Sequence, residues 1–67
     1  MNIILNSKST NVPDHCSTVG EILDFLDISR KGTGVGVNNK LVKASDWDSF
    51  KVNEGDSLTV ITAAYGG

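Results

Sequence analysis

Only one stretch of this chain has the makings of a full helix, and nearly everything around it reads as extended, so the fold must combine one helix with several strands. Thr18-Val19-Gly20-Glu21 has the spacing of a capping box, in which the Thr18 hydroxyl and the Glu21 carboxylate satisfy the first free amides of a helix. Val19, Ile22, Leu23 and Leu26 then recur at helical spacing and form one apolar stripe, while Glu21, Asp24 and Asp27 fall on the wetter side. Such a stripe reads as core rather than as a cofactor box. Gly32 and Gly34, after Arg30-Lys31, are expected to end the helix.

Around the helix the period changes to two. Met1, Ile3 and Leu5 alternate with Asn2, Ile4 and Asn6, the pattern of a strand with one face on a core, and a second short strand is expected from Thr10 to Val12. Asn6-Ser7-Lys8 supplies turn chemistry between them, and Pro13 removes a ladder donor and ends the second strand. Val35-Gly36-Val37, an Asn38-Asn39-Lys40 turn and Leu41-Val42 read as a second hairpin whose glycine permits close backbone approach. Residues 45–50 resemble one capped helical turn that tucks Trp47 and Phe50 inward, and a turn over 52–56 leads into a last strand carrying Leu58 and Val60. Sixty-seven residues allow a single domain, 1–67, and 39% hydrophobic residues spread along the chain argue against disorder. The order of elements predicts an α+β roll, a mixed sheet of four to five strands with the helix on one face.

Several function classes are disfavoured. Six basic against eight acidic residues give a net charge of −2 with no basic cluster, so nucleic acid is not an expected partner. The opening Met1-Asn2-Ile3-Ile4-Leu5-Asn6 has neither a charged leader nor a long apolar run; no membrane association is expected, and the location expected is cytoplasmic. Cys16 cannot form an internal disulfide, and beside His15 it offers only two potential metal ligands of those types, so an ordinary thiol and a loop histidine are expected rather than a metal site or a reactive pair. Gly32-Thr33-Gly34-Val35-Gly36 has the glycines of a phosphate loop, but they follow the helix instead of leading into one, so no cofactor is expected on this chain. Asp46, Asp48, Glu54 and Asp56 sit in turns without a partnering His or Lys array, which argues against an enzyme in its own right.

What remains is the ending. Gly66-Gly67 follow Ala63-Ala64-Tyr65, and glycine's freedom lets such a peptide thread a channel too narrow for side chains. Extended, residues 63–67 carry the terminal carboxylate roughly 15 Å beyond the folded domain. The working group expected is therefore the carboxylate of Gly67, on a flexible tail that enters another protein's active site. If the first and last strands lie side by side, Ile4 and Ile61 form an apolar spot near that tail, a candidate docking patch.

The order and spacing of these segments resemble the ubiquitin-like β-grasp family of sulfur carriers, closest to the ThiS carriers of thiamine biosynthesis. The likeness covers nearly the whole chain. It rests on Met1-Asn2-Ile3-Ile4-Leu5-Asn6, Thr18-Val19-Gly20-Glu21-Ile22-Leu23, Val37-Asn38-Asn39-Lys40-Leu41-Val42, Ser45-Asp46-Trp47, Glu54-Gly55-Asp56 and the terminal Gly66-Gly67. The resemblance implies a carrier acted on by other proteins: a ThiF-like activating enzyme that uses ATP to adenylate Gly67, a sulfur donor such as a cysteine desulfurase, and a ThiG-like thiazole synthase that receives sulfur from the resulting thiocarboxylate. Related carriers with the same fold and ending, the small subunit of molybdopterin synthase and the ubiquitin-like protein modifiers, are the alternatives.

Overall fold

The computed structural model describes residues 1–62 of the chain. Strand β1 (Asn2–Leu5) turns into β2 (Lys8–Asn11) through Asn6 and Ser7, whose φ angles are 48° and 71°. Two successive left-handed residues make the tight turn whose twist matches that of paired strands. The hairpin therefore closes with Leu5 opposite Lys8 and Asn2 opposite Asn11. The second strand thus begins earlier than Thr10, because Lys8 is used in pairing rather than in the turn, and Val12 lies buried beyond its end.

Helix α1 (Val19–Phe25) starts where the capping box places it. Thr18 Oγ1 accepts the Glu21 N–H at 3.2 Å, while Glu21 Oε1 accepts the Ser17 and Thr18 N–H groups at 3.0 and 3.1 Å. Hydrogen bonds from backbone amides favour the charged form and hold Glu21 below the usual glutamate range. Val19, Ile22 and Leu23 are buried and Leu26 packs against them. The helix ends before the glycines. Asp27 adopts φ 58°, its N–H donates to Asp24 O at 3.2 Å, and the Ile28 N–H reaches back to Leu23 O at 2.9 Å. That is a Schellman arrangement with aspartate in the left-handed position more often given to glycine. Gly32 (φ 72°) instead turns the chain toward β3 (Thr33–Val37), and Gly34 lies within that strand.

Asn38 and Asn39, again both left-handed at φ 51° and 69°, join β3 to β4 (Lys40–Val42). A short 3-10 turn (Ala44–Asp46) follows, without a side-chain cap, and carries Trp47 into the core, where its indole N–H donates to Val42 O at 2.9 Å. Phe50 does not join it. The Phe50 backbone accepts the first helical N–H, from Val19, at 3.1 Å, and the residue stays 36% exposed at the rim.

The last strand, β5 (Ser57–Thr62), enters the middle of the sheet, parallel to β1 and antiparallel to β3, giving the order β2-β1-β5-β3-β4. Ile3, Val35, Leu58 and Val60 face Val19, Ile22 and Leu23 of the helix, and Val12, Cys16, Val42, Trp47 and Val52 close the same core. Each fully buried aliphatic side chain contributes about 1.5–3 kcal/mol. The result is the α+β, ubiquitin-like β-grasp roll, with the larger of the two strand counts expected and one helix on one face.

Candidate functional site

Alternation along β5 sends Leu58 and Val60 to the helix and leaves Thr59 and Ile61 on the opposite face. In β3 the same parity buries Val35 and Val37 and turns Gly34 and Gly36 outward; in β4 it buries Val42 and turns Leu41 outward. Pairing registers place Gly36 between Leu41 and Thr59, and Gly34 beside Ile61. Because the central strand of this patch lacks side chains, the face sinks into a trough of about 310 Å³ with Leu41 and Ile61 as its walls. Both are large apolar residues left in water, at 82% and 68% exposure. Grouped exposed apolar side chains of this kind mark a surface suited to another protein.

The glycines are not there for close backbone approach. A Cβ on Gly34 would find no described atom nearer than Ile61 O at 4.0 Å, and one on Gly36 none nearer than Lys40 O at 3.4 Å, both ordinary contacts. What their missing side chains create is the hollow itself.

The docking pair anticipated from sequence divides here. The first and last strands do lie side by side, but Ile4 stands opposite Ser57 and Ser9, whereas Ile61 stands opposite Gly34. Ser57 and Ile61 are four positions apart on β5, a span of about 13 Å. Ile4 and Ile61 therefore share a face without forming one spot, and the neighbours of Ile61 are Gly34 and, across the trough, Leu41. Leu41, Gly34 and Gly36 were missed by sequence reasoning, although two glycines at alternate positions of a strand must share a face, which was a readable signal. Ala63, Ala64, Tyr65, Gly66 and Gly67 lie outside the described residues, directly after Thr62 in the sequence.

Elsewhere several charged side chains are committed to structure. Arg30 binds Asp48 through Nη1 at 3.1 Å and Nη2 at 2.9 Å, and Asp24 through Nη2 at 3.1 Å, which lowers the Asp48 pKa and raises that of the guanidinium. Glu54 accepts the Asn2 N–H at 3.0 Å, and Asp56 accepts the Asn53 N–H at 2.8 Å and the Asn38 amide at 3.1 Å. A second hollow on the helix side is lined by His15, Cys16, Glu21, Asp24 and Phe25, where Cys16 is buried and Glu21 is held by the helix cap. Among the described residues no group of three or more His, Cys, Asp or Glu is placed to hold a metal ion, and no helix is long and apolar enough to cross a membrane.

Comparison with known proteins adds a family. The family model described as the ThiS family matches residues 3–67. Among solved structures, the crystal structure of a thiamine biosynthesis protein (ThiS) from Geobacter metallireducens superposes with a TM-score of 0.82 at 26% identity, covering 100% of both chains. A solution structure of a thiamine biosynthesis protein from the same organism gives 0.80 at 26% identity, over 100% of this chain and 88% of that one. No curated protein matches in sequence.

Proposed function

The chain belongs to the ThiS family, and on that premise we propose that it is a sulfur carrier of thiamine biosynthesis, charged at the carboxylate of Gly67. The observation that carries this reading is the extent of the family match, which runs from the first strand through Gly66 and Gly67. A carboxylate is a poor electrophile. In the proposed cycle a Gly67 oxygen attacks the α-phosphorus of ATP on a ThiF-like enzyme, pyrophosphate leaves, and the acyl adenylate gains a leaving group. The outer sulfur of a donor persulfide, such as one formed on a cysteine desulfurase, then displaces AMP to give an acyl disulfide. A thiolate attacks the donor's sulfur, forming a new disulfide and releasing the thiocarboxylate, which delivers its sulfur to a ThiG-like thiazole synthase in the cytoplasm.

In this cycle the folded body supplies recognition and the terminus supplies chemistry, so no side chain of the chain needs to be catalytic. The trough walled by Leu41 and Ile61 is suited to seat the partner: Ile61 lies six residues before Gly67 in the sequence, so body docking and tail entry can occur together at high effective concentration. Ala63, Ala64, Tyr65 and Gly66 would thread the partner's active site. With its cognate activating enzyme the chain should support ATP–pyrophosphate exchange, and removal of Gly67 should abolish that exchange while leaving the circular dichroism spectrum unchanged. Exchange that persists without Gly67 would defeat the proposal.

A further inference from the structure

Val60 stands two residues before the end of β5, and its backbone groups point toward the β1 side. Backbone pairing from β1 has run out by then. The last partners are Leu5 and Leu58, the Asn6 N–H donates to Leu58 O at 2.9 Å, and at Asn6 (φ 48°) the chain turns away into the hairpin. The vacant rung is filled by a side chain: Asn6 Oδ1 accepts the Val60 N–H at 2.8 Å, and Asn6 Nδ2 donates to Val60 O at 3.1 Å. A carboxamide offers the same donor and acceptor as a peptide group. The Asn6 side chain thereby continues the ladder after the strand supplying it has left. On the other side of β5 the pairing with β3 continues to Thr33 and Thr62. The stretch that carries Ile61 is thus held from both sides, by a strand on one and by Asn6 on the other.

We propose that Asn6 is a positioning residue: it fixes the stretch of β5 from which Gly67 is delivered to a partner, a role that rests on the carrier reading above. Without the carboxamide, Val60, Ile61 and Thr62 are paired from one side only, and strand ends held from one side open more readily. The trough wall at Ile61 and the starting point of residues 63–67 then lose their fixed place relative to the body. Leu41, on β4, keeps its own.

Asn6→Gly is the informative variant, since glycine keeps the left-handed turn without strain while removing the side chain that carries the carboxamide. Asn6→Asp keeps the acceptor for the Val60 N–H, loses the donor to Val60 O, and tolerates the same backbone angle. In Asn6→Gly the Val60 amide should exchange with solvent roughly ten-fold faster, the loss of two hydrogen bonds, while the Leu26 amide inside the helix cap changes far less. With the cognate activating enzyme, kcat for charging should fall roughly three- to ten-fold in Asn6→Gly, with KM changing less than kcat and Asn6→Asp falling between. Unchanged Val60 exchange would overturn the clamp. Faster exchange with an unchanged kcat would reduce Asn6 to a brace of the fold and overturn the positioning role. A wild-type chain that is itself not charged would overturn the carrier reading and, with it, this role, and that outcome is recognisable because it precedes any variant.

Discussion

Gly34→Val should make the protein more stable and less functional at once. The position has an ordinary extended backbone, and the nearest described neighbour to a new Cβ is Ile61 O at 4.0 Å, so a Cβ is uncrowded there and its methyl groups face the open trough. Replacing a strand glycine recovers about 0.5–1 kcal/mol of conformational entropy. A β-branched residue directly across from Ile61 adds about 0.2–1 kcal/mol of cross-strand packing. At about 4–8 °C per kcal/mol for a domain of this size, the melting temperature should rise by about 3–16 °C. The same methyl groups project into the trough beside Ile61 and narrow the hollow a partner side chain would enter. A lost apolar contact there should lower kcat/KM for charging by about ten-fold, equivalent to 1.4 kcal/mol. Thermal unfolding followed by circular dichroism and ATP–pyrophosphate exchange read the two effects separately. A fall in melting temperature would refute the account of an uncrowded glycine. A rise without loss of charging would refute the trough as the seat of the partner.

Trp47→Phe should cost about 2–4 kcal/mol, because it leaves Val42 O without the indole donor and opens a void in the core; urea unfolding measures this, and charging below the transition should be unaffected. Asp27→Gly should stabilise by about 0.5–1 kcal/mol, since glycine takes the left-handed helix-ending position without a Cβ penalty, and a destabilised variant would contradict the Schellman assignment. Glu21 is held below its unfolded value by backbone donors, so its contribution is complete above the ordinary glutamate range. As pH falls, the unfolded chain takes up the proton first, and the contribution is gone once the folded carboxylate is protonated as well. The melting temperature should therefore fall less steeply on acidification in Glu21→Gln than in the wild type, and identical slopes would remove Glu21 from the explanation.

What sequence could deliver here was local. Thr18 and Glu21 define the helix start through contacts three residues apart, and the stripe from Val19 to Leu26 follows from helical periodicity alone. The helix end was misplaced because the left-handed angle fell to Asp27, and an aspartate looks the same in sequence whether it caps a helix or faces water. Phe50 could not be separated from Trp47 by pattern, since both are large aromatics in one short turn and only the tertiary packing buries Trp47 and leaves Phe50 at the rim. The docking surface was half legible for a related reason. Parity gave Ile61 its face, but the register between β1 and β5, strands more than fifty residues apart in sequence, decides that Ile4 meets Ser57 instead. The hairpin that sets Gly36 against Leu41 is short-range, and could have been read.

The central claim is that sulfur is carried on the last carbon of the chain. Intact-mass measurement after incubation with the cognate activating enzyme, ATP and a sulfur source tests it most directly. The account predicts a product in which one oxygen of the Gly67 carboxylate is replaced by sulfur. An unmodified mass in the presence of a demonstrably active partner, or Gly67 found joined to a lysine of another protein instead, would contradict it.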